Sequence, residues 1–246
     1  MTRLFAILYF RARFEKVERV PRTGPVILAA NHQSLFDPCL VGISFKRRAS
    51  FLARETLFRV PVLGWLIRKL GAFPVPREST APRKALEVCV RVLELGRALV
   101  LFPEGTRTRD GRMQPLRRGV AQLAQRTGAP VVPVIIQGAH AVWPRKRRLP
   151  RPGRIRITFG EPLRYEPEET YDSFMERLMS AYLALAGEAG AGEVLPLPFV
   201  AGGGPASSAG PSPTSDEGRG SGPQARVASR AEAAESPPRT TAQPSI

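Results

Sequence analysis

Short, continuous runs of apolar residues recur along the chain, and turns or polar stretches separate them. Val26–Ala30 is one such run and follows a Thr-Gly-Pro turn, a pattern that is typical of a strand buried on both faces. The same pattern predicts further strands over Ala49–Ala53, Ala72–Val75, Ala98–Phe102, Val131–Ile136 and Arg154–Phe159.

Amphipathic stretches lie between these runs. Ser79–Leu95 has apolar residues at helical spacing and stops at Gly96, and Gly119–Thr127 stops at Gly128 in the same way. Thr170–Leu185 predicts a last helix whose apolar stripe faces the core. This alternation predicts a single α/β domain with a largely parallel or mixed central sheet flanked by helices.

The C-terminal part of the chain differs in composition from the rest. It consists mainly of Gly, Pro, Ser and Ala with scattered charges, and it lacks the apolar residues needed for a core. We therefore expect a disordered tail over residues 197–246. The remaining chain divides into an N-terminal segment, residues 1–20, and one folded domain, residues 21–196.

The formal net charge of +16 lies before this tail, because the basic and acidic residues of the tail balance. Such a surface attracts polyanions: an anionic membrane, nucleic acid, or phosphorylated substrates. The basic stretch Val142–Arg156 contains Trp143 as its one aromatic residue, which is fewer than single-stranded nucleic-acid sites use, so we expect no nucleic-acid partner. A solvated loop and a membrane contact are both consistent with this stretch.

The first residues, Met1–Phe10, form a short apolar segment that cations follow at once. It is shorter than the roughly 20 apolar residues of a membrane-spanning helix and lacks the cleavage site of a signal peptide. A core helix and an interfacial helix are the alternatives, and the flanking cations favour the interface. Cys39 and Cys89 lie in apolar segments without metal-ligand spacing, so we expect buried, reduced thiols and no metal site.

A candidate catalytic pair follows the strand Val26–Ala30. His32 lies just beyond the end of the strand, Asp37 follows five residues later, and Ser34 between them is a candidate helix cap. A carboxylate that accepts a hydrogen bond from one imidazole nitrogen leaves the other nitrogen free as a general base. No Gly-x-Ser-x-Gly motif supplies a nucleophile, so such a base would act directly on a substrate hydroxyl. The alternative is a structural histidine in a turn.

A candidate phosphate site follows the strand Ala98–Phe102. Its residues offer a glycine for close backbone approach, a hydroxyl group and a guanidinium that matches a phosphate. Arg77 after the strand Ala72–Val75 could add a second guanidinium, although surface ion pairs are the alternative for both arginines. Carboxyl ends of parallel strands meet at one edge of a sheet, so a shared site with His32 is expected. The residues of the motif are Glu104, Gly105, Thr106 and Arg107.

Four motifs occur in an order that resembles the 1-acylglycerol-3-phosphate acyltransferase family, and the resemblance spans some 140 residues, from about Gly24 to Leu163. The resemblance implies a glycerol-3-phosphate acyltransferase-like fold for the predicted domain. The motifs are His32-x4-Asp37, Gly71-x5-Arg77, Phe102–Arg107 and Val132–Ile135.

The resemblance also implies a reaction. A fatty acyl group would pass from acyl-CoA or acyl carrier protein, as co-substrate without a further cofactor, to the free hydroxyl of 1-acylglycerol-3-phosphate. The product would be phosphatidic acid for phospholipid biosynthesis. His32 matches the base and Asp37 the carboxylate that orients it. Arg77, Glu104, Gly105, Thr106 and Arg107 match the acceptor-phosphate site, and Val132, Pro133 and Val134 match a segment for acyl-donor contact or structural support.

Two departures from the family pattern shape these expectations. Family members often carry longer hydrophobic N-terminal segments, so we expect peripheral binding at the cytoplasmic face of an anionic cell membrane. Pro74 and Pro76 stand in the second motif, which leaves the aim of Arg77 and the acceptor open. Another lysophospholipid, an aminolipid or a glycolipid is the alternative acceptor, and a basic membrane- or nucleic-acid-binding protein is the non-enzyme alternative.

Overall fold

Seven strands form one sheet in the computed structural model, which describes residues 2–69, 71–75, 81–147 and 149–188. They are β1 (Arg13–Glu15), β2 (Val26–Ala30), β3 (Ala49–Arg54), β4 (Ala72–Val75), β5 (Ala98–Leu101), β6 (Val131–Gln137) and β7 (Arg156–Phe159). The order across the sheet is β1-β7-β6-β2-β5-β3-β4, and every neighbouring pair is parallel except β6 with β7. The predicted α/β class is confirmed.

Helices cover both faces of this sheet. In the described part of the chain they are α1 (Thr2–Phe10), α2 (Asp37–Ser44), α3 (Glu55–Phe58), α4 (Pro61–Lys69), α5 (Ala81–Glu94), α6 (Gly119–Thr127), α7 (Ala139–Val142) and α8 (Tyr171–Glu188), with a 3₁₀ turn at Val17–Arg19.

Strand β2 lies at the centre of two apolar layers. Val26, Leu28 and Ala30 pack into one layer together with α1, α2 and α7, and Ile27 and Ala29 pack into the other with α5, α6 and α8. Burial on both faces explains why β2 has no alternation of polar and apolar residues in the sequence.

The predicted elements agree with the structure to within two residues at most ends. Gly128 ends α6 with a φ of 63°, as expected for a glycine stop. Strand β1 was not predicted, because it has three residues and lies at the edge of the sheet. The predicted cap at Ser34 is wrong: α2 begins at Asp37 with Phe36 as its N-cap, and Ser34 Oγ instead accepts the N–H of Phe36 at 3.1 Å.

Helix α1 packs one face into the core, as the first alternative predicted, and exposes the other. Ala6 and Phe10 are buried in the core, whereas the opposite face exposes large apolar side chains. The exposed residues are Leu4, Phe5, Ile7 and Leu8. Among the helices that the structure describes, none has the length and apolar character that crossing a bilayer requires. Cys39 and Cys89 are buried with free thiols, as predicted.

The basic stretch Val142–Arg156 begins against the core. Trp143 packs near Phe36, with ring centroids 6.0 Å apart, and its Nε1–H donates to the carbonyl oxygen of Arg147 at 2.9 Å. Strand β7 then begins at Arg156. The stretch is therefore anchored at both ends, while Arg147 and Leu149 between them are exposed.

The sheet topology decides which side chains can share a site. Because β2, β5 and β6 are parallel neighbours, their carboxyl ends lie at one edge of the sheet. Strand β7 runs antiparallel to β6, and β1 runs parallel to β7, so the amino ends of β1 and β7 lie at this same edge. We call it the carboxyl edge of β2.

Candidate active site

His32 and Asp37 lie together at the carboxyl edge of β2. His32 Nδ1 is 2.9 Å from Asp37 Oδ2, and 18% of the His32 side chain is exposed, whereas Asp37 is fully buried. The sequence prediction that this histidine and carboxylate form a pair is met by this geometry.

Asp37 concentrates its hydrogen bonds on one oxygen. The backbone N–H groups of Gln33 and Ser34 donate to Oδ2 at 2.6 and 2.7 Å, in addition to the imidazole. Oδ1 is buried and has no hydrogen-bond partner among the described residues. In the tautomer whose Nδ1–H donates to Asp37 Oδ2, the lone pair of His32 Nε2 is available as a base.

Contacts with Phe102 and Thr108 also restrain His32. The ring of Phe102, at the end of β5, stacks on it with centroids 4.0 Å apart and planes 22° from parallel. The N–H of Thr108 donates to the carbonyl oxygen of His32 at 2.8 Å. These contacts hold the ring at the surface in one orientation, which a positioned general base requires.

Glu104 lies under the backbone of His32. Its Oε1 accepts the N–H of His32 at 2.7 Å, and its Oε2 accepts the N–H of Gln114 at 2.8 Å. The pKa of Glu104 is raised to about 7, mainly by burial; the two backbone donors offset part of this rise, and the charge of Asp37 adds to it. Both carboxyl oxygens of Glu104 therefore accept hydrogen bonds from backbone N–H groups. Through the bond to His32, Glu104 connects the motif after β5 to the motif after β2.

The residues beside His32 join it to β6 and to the neighbouring loops. Asn31 Nδ2 donates to the carbonyl oxygen of Ile136 at 2.9 Å, and Asn31 Oδ1 accepts the N–H of the same residue at 2.7 Å. Gln33 Nε2 donates to the carbonyl oxygen of Gly111 at 3.2 Å, and Gln33 Oε1 accepts the N–H of His140 at 3.3 Å. Buried amide side chains thus set the path of the loop that carries the base.

Gly105, in the motif after β5, lies against a cation that the sequence analysis did not predict for the site. Gly105 has a φ of 68°, and a Cβ atom placed there would lie 2.9 Å from Arg117 Nε and 3.0 Å from its Cζ. The guanidinium of Arg117 therefore lies directly over Gly105, and the N–H of Arg117 donates to the carbonyl oxygen of Pro103 at 2.9 Å. A signal existed in the sequence: two arginines immediately precede α6, whose amino end lies at this edge.

The other predicted phosphate-site residues have different placements. Thr106 is exposed and Arg107 is half-buried, both in the loop after β5. Arg77 lies outside the described residues. Val132, Pro133 and Val134 are buried within β6, where they support the sheet beside β2.

The site contains no activated protein nucleophile among the described residues near His32. Ser34 is buried, and its Oγ accepts the N–H of Phe36. Burial raises the pKa of the Cys39 and Cys89 thiols to about 12 in both cases, so both stay protonated at neutral pH. An oriented imidazole without an adjacent nucleophile among these residues is suited to taking the proton of a substrate hydroxyl, which then attacks the second substrate directly.

Comparison with known proteins gives a consistent result. A 1-acyl-sn-glycerol-3-phosphate acyltransferase of Bacillus subtilis is 30% identical over 147 residues, covering 59% of this chain and 70% of that protein. A chloroplastic 1-acyl-sn-glycerol-3-phosphate acyltransferase of Brassica napus is 28% identical over 158 residues, covering 63% of this chain. The chain spans 46% of the length of the Brassica protein and 44% of a chloroplastic relative from Arabidopsis thaliana.

The fold is also similar to a solved structure. The crystal structure of the 1-acyl-sn-glycerophosphate acyltransferase PlsC from Thermotoga maritima matches with a TM-score of 0.64 at 29% identity, over 77% of this chain and 76% of that one. Residues 11–137 match the family model described as Acyltransferase, and they include the His32–Asp37 pair and the Glu104–Arg107 motif. The chain therefore belongs to the acyltransferase family.

Proposed function

We propose that this protein transfers a fatty acyl group from a thioester donor, acyl-CoA or acyl carrier protein, to the free hydroxyl of 1-acylglycerol-3-phosphate. The product is phosphatidic acid, and the pathway is phospholipid biosynthesis. The named relatives in Bacillus subtilis and Brassica napus support this acceptor.

The observation that carries the proposal is the His32–Asp37 pair, which has no neighbouring nucleophile in the part of the chain that the structure describes. His32 Nε2 takes the proton of the acceptor hydroxyl as its oxygen attacks the thioester carbonyl carbon. The tetrahedral intermediate collapses, the C–S bond breaks, and the departing sulfur takes the proton back from Nε2. Asp37 stabilises the transient imidazolium and keeps the proton on Nδ1.

The loop after β5 gives the acceptor a site for its phosphate. Arg107 belongs to the predicted motif, and Arg117 places its guanidinium over Gly105. Glu104 belongs to the same motif as Gly105 and Arg107, and it accepts the N–H of His32, which connects this loop to the base. In the acceptor, the phosphate and the reacting hydroxyl sit on neighbouring carbons, so the reaction needs a phosphate site near the imidazole, and the hydrogen bond between Glu104 and the N–H of His32 supports this loop as that site. Arg77 stays a predicted third contributor.

The protein acts at a membrane surface under this proposal, because both its acceptor and its product are lipids. The exposed apolar face of α1 supports peripheral binding, with Leu4 60% and Leu8 71% exposed. The net charge of +16 favours an anionic surface such as the cytoplasmic face of the cell membrane.

The test of the reaction is thiol release from acyl-CoA with a panel of acceptors. The panel contains 1-acylglycerol-3-phosphate, a monoacylglycerol, a zwitterionic lysophospholipid and an aminolipid. We expect turnover with the phosphate monoester and a loss of at least about 10³-fold in kcat for His32→Ala, with an unchanged circular dichroism spectrum. Turnover by His32→Ala near the wild-type rate would contradict the base assignment, and equal rates on all acceptors would contradict the phosphate site.

The membrane proposal has a separate test that does not depend on turnover. Leu4→Gln together with Leu8→Gln changes exposed side chains of α1, so the fold should be kept while sedimentation with phosphatidylglycerol vesicles weakens. Leu183→Gln is the matched control, because Leu183 is 46% exposed on α8. Equal vesicle binding by all three proteins would exclude α1 as the membrane contact.

A further inference from the structure

A second cationic site lies at the carboxyl edge of β2, away from the motif after β5. It is a cavity of about 390 Å³, a size within the range of small-molecule sites. Four arginines line it together with a short backbone segment after β6. The lining residues are Arg11, Arg13, Arg154 and Arg156, with Gln137, Gly138 and Ile155.

The pairing of β1 with β7, together with the segments that precede these two strands, brings these arginines together. Arg13 pairs with Arg156 across parallel strands β1 and β7, and Arg156 pairs with Gln137 across β7 and β6. Ala12 and Ile155 point to the opposite face and are buried in the core. Arg11 and Arg154 each lie two residues before Arg13 and Arg156, ahead of β1 and β7, and they line the same cavity.

The charge in this cavity is largely uncompensated. Arg156 Nε lies 3.3 Å from Glu15 Oε1. Among the described residues, no carboxylate forms an ion pair with Arg11, Arg13 or Arg154. Cations gathered around one cavity repel one another, so a polyanionic ligand gains from Arg11, Arg13 and Arg154.

The backbone around the cavity adopts conformations that ordinary residues avoid. Arg11 has a φ of 45°, which is uncommon for a residue with a side chain. Gly138 has a φ of 78°, and a Cβ atom there would lie 2.1 Å from the carbonyl oxygen of Arg154. The N–H of Ile155 donates to the carbonyl oxygen of Phe10, and the N–H of Arg13 donates to that of Ile155. These contacts lock the arginine-bearing segments against each other.

The position of the cavity relative to His32 restricts its ligand. In the sheet, β6, β7 and β1 lie on one side of β2, and β5 lies on the other. Two to three strand spacings separate β2 from the arginine strands, which is about 10–14 Å. The acceptor cannot place its phosphate there while its hydroxyl meets the imidazole, since few bonds separate the two groups. A donor whose phosphates and thioester are joined by a long flexible arm can do so.

We propose that the cavity formed by Arg11, Arg13, Arg154 and Arg156 binds the phosphate groups of CoA, the carrier of the acyl donor. This inference rests on the proposed acyl transfer, because it takes the donor from that reaction. It places the two phosphate-bearing substrates on opposite sides of His32, the acceptor beside β5 and the donor beside β6, β7 and β1.

The experiment measures CoA binding to the full chain by calorimetry, without acceptor or turnover. Arg13→Gln with Arg154→Gln removes two of the lining cations, and Arg97→Gln with Arg126→Gln is the matched control at the opposite edge, where both arginines are exposed. We expect the cavity variant to bind CoA at least about tenfold more weakly than the control. Its KM for acyl-CoA should rise by a similar factor, while kcat and the KM for the acceptor stay within about twofold. Removal of the 3′-phosphate, in dephospho-CoA, should weaken binding to the wild type more than to the cavity variant.

The remaining outcomes separate the alternatives. Equal CoA binding by both double variants would overturn the proposal. If the cavity variant lost binding to phosphatidylglycerol vesicles but kept CoA binding, the proposal would also be overturned and the arginines would be assigned to lipid headgroups. If the variant lost only binding to acyl carrier protein, the proposal would be overturned and the arginines would be assigned to that partner. Should the cavity variant fail to fold, Arg11→Gln alone changes an exposed loop residue and must shift CoA affinity in the same direction. CoA binding is measured without acyl transfer, so this result can be interpreted even if the protein shows no acyltransferase activity.

Discussion

Asp37 illustrates how one residue can organise a site. Its Oδ2 accepts three hydrogen bonds, from the imidazole of His32 and from two backbone N–H groups, while Oδ1 has no partner among the described residues. The carboxylate therefore orients the base and also shapes the loop that carries it.

Asp37→Asn should separate these two roles. An amide can keep one acceptor oxygen towards the loop, but its NH₂ group then lies buried at the Oδ1 position without an acceptor. We expect kcat to fall by about 10²–10⁴-fold and the free energy of unfolding to fall by about 1–3 kcal/mol. Steady-state kinetics and urea unfolding measure the two effects. Asp172→Asn, in a surface ion pair with Arg118, is the control and should leave kcat unchanged.

Glu104 predicts a pH dependence of stability. Its pKa in the folded protein is about 7, above the value of 4.5 for an unperturbed glutamate. The folded state therefore binds more protons than the unfolded state between these values, so the contribution of Glu104 is full below pH 4.5 and is lost as the pH rises through 7. The loss is on the order of 3 kcal/mol. Urea unfolding from pH 4.5 to 8 should show a negative slope that Glu104→Gln reduces, and an unchanged slope in the variant would contradict this origin.

At the scale of elements, the loop from β5 to α6 brings Arg117 over Gly105. Gly105→Ala adds a Cβ atom at 2.9 Å from Arg117 Nε, so the guanidinium must shift. We expect a rise of about fivefold or more in the KM for 1-acylglycerol-3-phosphate and little change in the KM for acyl-CoA.

Gly24→Ala is the matched control for this loop variant. Gly24 has a φ of 73°, close to the 68° of Gly105, but a Cβ atom there meets nothing within 4 Å. Both variants should lose about 1 kcal/mol of stability from backbone strain. An equal rise in acceptor KM for both would show that strain, not the displaced arginine, is the cause.

The elements that the sequence predicted well are those with a strong local signal. β2 and β6 read as continuous apolar runs because helices cover both of their faces, and α6 carries its own glycine stop. Strand β1 has no such signal, since its three residues alternate at the edge of the sheet. The antiparallel pairing of β7 with β6 depends on the path of the chain between these strands, and the hydrophobic periodicity of the sequence does not predict that path.

The site shows the same division. His32 and Asp37 are five residues apart, so their pairing could be predicted from sequence, whereas Glu104 binds the backbone of His32 across 72 positions. Arg117 meets Gly105 through the closure of a loop, and the arginine cavity joins segments from both ends of the domain. The sequence analysis predicted a shared site for His32 and Glu104, but it did not include their hydrogen bond, the position of Arg117 or the arginine cavity, because these follow from topology.

At the scale of the whole molecule, the net charge of +16 and the exposed face of α1 make different contributions to membrane binding. Each Lys or Arg near an anionic surface contributes about 1 kcal/mol at most, and this attraction falls within a Debye length. That length shortens from about 10 Å at 0.1 M salt to about 3 Å at 1 M. The burial of apolar side chains does not weaken in the same way.

Salt should therefore divide the two contributions. Binding to phosphatidylglycerol vesicles is expected to fall by at least about tenfold between 0.1 and 1 M salt, because screening removes the long-range attraction. Leu4→Gln with Leu8→Gln should lower affinity by a constant factor at every salt concentration, leaving the slope unchanged, since these side chains carry no charge. Binding to phosphatidylcholine vesicles should be weaker and nearly independent of salt. A salt-independent affinity for anionic vesicles would instead mean that α1 alone holds the protein on the bilayer and that the cations serve the phosphorylated substrates.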